Sequence, residues 1–140
     1  MGLGSRLALT AISAVTCALV VLGLGFPSSG GVSPASAQAR SEAKRVTVRF
    51  FDALDHGRWS QACSLLARQF YRRHHVPDRR HCVVGFTIGM SGWAVKFRIG
   101  HVDAKGDRAV VHAVVDGAPG TVQLIREKQR GFRVLDMQAA

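Results

Sequence analysis

The chain has 140 residues, with 19 Lys and Arg against 9 Asp and Glu, and a formal charge of +10. Hydrophobic residues make up 47% and charged residues 20%, the balance of a folding chain rather than a disordered or collagen-like one. This length holds one small domain and excludes a polytopic membrane protein, a repeat array and a large multi-domain enzyme.

The start of the chain reads as an address. Met1 to Arg6 carries one positive charge and no acid, and Leu7 to Phe26 carries no charge at all. Pro27-Ser28-Ser29-Gly30-Gly31 then breaks the run ahead of Ala35-Ser36-Ala37. A basic start, an apolar middle and a small-x-small ending predict a signal peptide over residues 1–37, cleaved after Ala37. The mature protein is then a single domain over 38–140, secreted or associated with the cell envelope. An uncleaved membrane anchor is the alternative, because an apolar run of this length just spans a bilayer. Cys17 sits inside that run and reads as one of its apolar residues rather than as a lipid-bearing terminus. Cys63 and Cys82 remain, and an even count in a small exported domain predicts one disulfide. Such a bond closes a loop of about 20 residues and contributes about 3 kcal/mol through loop entropy.

The mature chain is helical first. Ser41 is a candidate N-cap, with Glu42 near the positive end of the helix dipole. Ala43, Val46, Thr47, Phe50, Phe51 and Leu54 then make one apolar stripe at helical spacing, with Lys44, Arg45, Arg49, Asp52 and Asp55 opposite. Gly57 ends this helix as its C-terminal cap. A shorter helix is predicted from about Ser60 to Ala67, turning Ala62, Cys63, Leu65 and Leu66 inward. The basic stretch Arg68 to His75, broken by Pro77, reads as a loop. Arg79 to Val84 reads as one more helical turn that returns Cys82 to Cys63, and Gly85 to Gly92 as a connector or weak strand.

From Trp93 the pattern alternates. Val95, Phe97 and Ile99 share one face while Lys96 and Arg98 take the other. Ala104 to Asp107 is turn chemistry, and strands follow at Arg108–Val115, Val122–Glu127 and Phe132–Met137, separated by Asp116–Gly120 and Gln129–Gly131. Short turns make these strands antiparallel neighbours. The predicted fold class is α+β: N-terminal helices packed on a curved antiparallel four-stranded meander, with one disulfide.

Several segments resemble the nuclear transport factor 2-like superfamily, also called SnoaL-like or ketosteroid-isomerase-like, and its small secreted actinobacterial branch. They are Val48-Arg49-Phe50-Phe51-Asp52-Ala53-Leu54-Asp55-His56-Gly57, Ala62-Cys63-Ser64-Leu65-Leu66, Cys82, Gly106-Asp107-Arg108-Ala109-Val110-Val111 and Gly131-Phe132-Arg133-Val134-Leu135-Asp136-Met137. A cystatin-like arrangement of the same elements fits the pattern as well. The resemblance implies a cone-shaped cavity between the long helix and the sheet, an active site in some members and a binding or filled space in others. An isomerase of that kind needs a carboxylate base and an acid converging in an apolar pocket. Here Phe50 and Phe51 stand where the resemblance implies a tyrosine in such an enzyme, and the aspartates fall on the wet helix face or in turns. No catalytic residue, cofactor or metal is therefore assigned.

The expected role is a non-catalytic accessory or ligand-binding module of the envelope, with a small isomerase- or dehydratase-like enzyme as the alternative. Tyr71, His101 and Phe51 are the candidate ligand-binding residues; His101, in register with Val95, Phe97 and Ile99, is expected to point into the cavity. His112 falls on the opposite face, with Val110 and Val114, where a homodimer surface is the alternative. His74, His75, His81 and Cys82 invite a zinc reading that a disulfide at Cys82 excludes. Arg68, Arg72, Arg73, Arg79 and Arg80 form a candidate anion-binding cluster suited to lipid headgroups or anionic envelope polymers; nucleic acid is not an expected partner.

Overall fold

The computed structural model describes residues 33–140. The apolar run Leu7–Phe26 and Cys17 lie outside the described residues, whereas the cleavage sequence Ala35-Ser36-Ala37 lies within them. Four helices precede four strands: α1 (Pro34–Asp55), α2 (Trp59–Ser64), α3 (Arg68–Arg73), α4 (Arg79–Met90), β1 (Phe97–Lys105), β2 (Arg108–Val115), β3 (Ala118–Glu127) and β4 (Gly131–Ala139). Among the described residues no helix is long and apolar enough to cross a membrane.

The long helix starts seven residues before the expected Ser41 cap. Pro34 occupies its first turn, where a missing N–H costs nothing, and the Ser33 carbonyl accepts from Ser36 and Ala37. Glu42 consequently lies within the helix and serves the sheet instead. Its carboxylate accepts the Phe132 N–H at 3.0 Å and pairs with Arg126 at 2.9 Å. The helix ends as expected: Gly57, at φ +63°, donates to Leu54 and Arg58 donates to Ala53, the two bonds of a Schellman cap.

The predicted second helix is shorter than expected, because its end is used as sheet. Leu66 pairs in parallel with Val134, the Ala67 N–H donating to the Val134 carbonyl at 2.7 Å and the Val134 N–H to Leu65 at 2.9 Å. The basic stretch is not a loop but opens as α3. The expected single turn at Arg79–Val84 is a helix of 12 residues running to Met90, so Gly85 to Met90 is helix rather than connector or strand. Asp78 explains the start, since its carboxylate accepts the His81 N–H at 3.0 Å. The disulfide explains the position: Cys63 and Cys82 are bonded, with their Cα atoms 6.1 Å apart.

The four strands pair in sequence order, all antiparallel, as the turns predicted. Two bulges bend them. Ile99 faces Ala113 and Val102 faces Val111, so β1 spends three steps against two of β2. Likewise Gln123 faces Asp136 and Leu124 faces Val134, leaving Leu135 as the extra residue of β4. Each bulge switches which residues face the helices. One face of the sheet packs under α1, and the interior there is filled by Phe50, Leu66, Val111, Leu124, Phe132, Val134 and Leu135, all essentially without solvent contact. Thr47 is the buried polar residue of this core, and its hydroxyl donates to the Ala43 carbonyl at 2.9 Å.

Candidate functional site

Where the filled interior ends, the helix-covered face opens into a cleft of about 250 Å³. Phe51 of α1 forms one wall and stacks on Phe97 at 5.2 Å between ring centroids. Ala113 and Val115 of β2, Ala118, Gly120 and Val122 of β3, and Met137 and Ala139 of β4 form the rest. These positions share a face by register: Val122 pairs with Met137, Gly120 with Ala139 and Ala113 with Gly120. Met137 and Ala139 point there because the Leu135 bulge switches β4 from even to odd residues on the inner face. Gly120 is required by the pairing itself, as a Cβ at that position would lie 2.7 Å from the Gln138 carbonyl. Thr121 and Gln138 pair with each other, and Thr121 with outward-facing His112, so their side chains alternate onto the outer face and they border the cleft with backbone; no lining residue carries a titratable group.

Of the predicted ligand residues, only Phe51 reaches this cleft. His101 does not face the interior: the bulge in β1 turns Val102 inward and His101 outward, with 68% of its side chain exposed. There its Nε2 lies 2.7 Å from Asp103, which also sits 3.5 Å from His112. His112 is therefore on the outer face, as the alternation implied, with Val110 and Val114 half-buried beside it. Tyr71 is a bracket rather than a lining residue. Its hydroxyl donates to the Cys63 carbonyl at 2.6 Å, tying α3 to the disulfide segment. Burial raises the phenol above its usual 10.0, partly offset by the nearby charges of Arg79 and Arg130.

The arginines do not form one cluster. Arg68 and Arg72 share a hollow of about 280 Å³ with Lys128 and Glu127, whose carboxylate accepts the Arg68 N–H at 2.6 Å and pairs with Arg130 at 2.7 Å. Arg73 pairs with Asp136 at 2.7 Å, and Arg79 donates to the carbonyl and hydroxyl of Ser60 at 2.8 Å each. Arg80 is exposed on α4. The histidines considered for zinc are also dispersed: His81 bonds Asp78, His74 packs on Phe70 at 4.3 Å, and Cys82 is in the disulfide.

The carboxylates that an acid–base mechanism would need are engaged elsewhere. Asp55 accepts the Val95 N–H at 2.8 Å, Asp116 the Lys96 N–H at 2.9 Å, and Asp52 pairs with Arg58. Each closes a turn or joins two elements. The cleft itself can bind apolar surface. Ala113, Val115, Gly120 and Met137 were missed by reading the sequence, although Pro119-Gly120 inside an otherwise β-rich run signalled an unusual strand end.

No family model matches the chain, and no curated protein is similar to it in sequence. In three dimensions it is similar to a candidate dehydratase of the NTF2-like family from Streptomyces avermitilis, with a TM-score of 0.57 and 14% identity, over 74% of this chain and 96% of that one. A structure from Catenulispora acidiphila is similar with a TM-score of 0.52 and 15% identity, over 74% of this chain and 91% of that one. These likenesses show the NTF2-like fold that the sequence suggested.

Proposed function

We propose that this chain, an NTF2-like fold with an apolar cleft, is an exported, non-catalytic module of the cell envelope that holds a small apolar ligand. The lining carries the reading: aliphatic and aromatic walls and no ionisable side chain. A cleft of about 250 Å³ suits a ligand of roughly ten non-hydrogen atoms, below drug size. The Streptomyces avermitilis neighbour is described as a dehydratase. Dehydration needs one group to take a proton and another to release hydroxide, and the apolar side chains of this lining supply neither. Export follows from the signal peptide predicted over residues 1–37. Cleavage after Ala37 removes the first turn of α1 and leaves Ser41 as the next capping residue. The Arg68–Arg72–Lys128 hollow supplies a surface for anionic envelope components.

The test is a fluorescence titration with an environment-sensitive anilinonaphthalene probe, alone and in competition with small terpenoid or aromatic hydrocarbons. Saturable binding is expected, weakened at least tenfold by Ala118→Phe at the exposed rim. Binding that Ala118→Phe leaves unchanged contradicts the reading, as does dehydration or isomerisation of a small carbonyl compound by the purified protein.

A further inference from the structure

Helix α4 is held to the domain by one side. Cys82 is its buried residue; Val83, Phe86 and Met90 lie half-buried on the same side, with Phe86 stacked on Trp59 at 6.2 Å. The opposite side is apolar and bare. Val84 is 55% exposed, Ile88 one turn later is 79% exposed, and Trp93 just past the helix end is 65% exposed. The positions between them are Gly85, Thr87 and Gly89, and the Thr87 hydroxyl is already satisfied by the Val83 carbonyl at 2.8 Å. From Cys82 to Val95 the chain has no charged residue. Cations flank this run at both ends, Arg79 and Arg80 before it and Lys96 and Arg98 after it. The acids at its margins are occupied: Asp78 by the backbone and ring of His81, Asp55 by the Val95 N–H and Asp116 by the Lys96 N–H.

We infer that the outer face of α4, with Trp93, docks on an anionic lipid bilayer, lying in the interface with Val84, Ile88 and Trp93 among the acyl chains. Branched aliphatics on one helix face, an exposed tryptophan just past the helix end and basic residues at the margins, where the carboxylates are already bonded, are the features of an in-plane amphipathic helix. Charge selects the occupant. A second copy of the chain would bring Arg79 and Arg80 against another set of cations, whereas anionic headgroups neutralise Arg80, Lys96 and Arg98 in a protein that stays strongly basic after Arg6 leaves with the signal peptide. Thr87 presents no unsatisfied hydroxyl to the lipid, and the two glycines let the helix lie close to the surface. The inference rests on the exported reading for where such a membrane is met, but not on the cleft.

The experiment uses the exported protein carrying Trp59→Phe, so that Trp93 is the fluorophore, with vesicles of phosphatidylglycerol and phosphatidylcholine and of phosphatidylcholine alone. On anionic vesicles Trp93 emission should move to shorter wavelength and be quenched by acyl-brominated lipid. Partitioning should weaken at least tenfold on pure phosphatidylcholine, at high salt, or with Ile88→Asp. The anilinonaphthalene probe is titrated into the same samples. Retained probe binding in Ile88→Asp shows an intact fold and separates failure of this inference from failure of the cleft. Unaltered Trp93 emission on anionic vesicles overturns the inference, and so does vesicle binding indifferent to Ile88→Asp, which would place the lipid contact elsewhere in the chain. A lipid-free emission shift that grows with protein concentration also overturns it, by identifying a second copy as the occupant.

Discussion

Replacing both Cys63 and Cys82 by alanine tests how the helical half is attached. The bond spans a sequence separation of 19, for which the loop-entropy relation gives about 3 kcal/mol at 25 °C. In a domain of this size 1 kcal/mol moves the melting temperature by about 4 °C, so a fall of up to about 12 °C is expected. Its distribution is also fixed by the structure. The α1–sheet core takes little from α4, whose one buried residue is the disulfide-bonded Cys82. The variant should therefore lose α4 first, so about 12 °C is the upper limit of the global fall, and local release of α4 takes up the rest of the ~3 kcal/mol. Circular dichroism melts give the total, and hydrogen exchange resolves the order: amides over residues 82–90 should exchange much faster while those of β2 and β3 stay protected. A melting temperature within about 3 °C of the parent, with unaltered protection over α4, would refute the reasoning.

Tyr71→Phe removes a 2.6 Å hydrogen bond to the Cys63 carbonyl and should cost about 1 kcal/mol in denaturant melts. Tyr71 is the chain's single tyrosine, so absorbance at high pH should show its phenol ionising above 10.0. Because its folded value is the raised one, its contribution is whole below pH 10.0 and is lost as pH climbs through the folded midpoint. Asp78 runs the other way: the His81 N–H and ring hold its carboxyl below the ordinary 3.8, so α4 should loosen as pH falls below that value, read by NMR of the His81 amide. Glu42→Ala leaves the Phe132 N–H and Arg126 without their acceptor and should cost about 1–3 kcal/mol, whereas an effect confined to fraying of α1 would restore Glu42 to a helix-capping role.

Strand β2 was legible to the residue because Gly106-Asp107 and Asp116-Gly117 bracket an unbroken alternation, and both glycines do take positive φ, near +61° and +84°. Phe51, on the strongest apolar stripe of the chain, was likewise legible as a wall of the cavity. His101 was not, because a bulge is decided by how β1 meets β2, and local alternation carries no record of it. The same holds for Met137, which the Leu135 bulge carries into the cleft. Helix α4 was half legible. Gly85, Gly89 and β-branched residues weigh against helix locally, and an N-cap with a disulfide outweighs them. The arginine stretch misled for a related reason: like charges suggested one patch, whereas Asp136 and Ser60 draw the Arg73 and Arg79 side chains to separate elements.

The chain has three methionines, of which Met137 lies in the cleft and Met90 at the end of α4. Methyl-carbon-labelled methionine therefore gives a direct test of whether the cleft is the binding site. On titration with a small apolar ligand that displaces the fluorescent probe, the Met137 methyl resonance should move saturably while Met90 stays in place. A Met137 signal that does not respond at ligand concentrations that displace the probe would contradict the account.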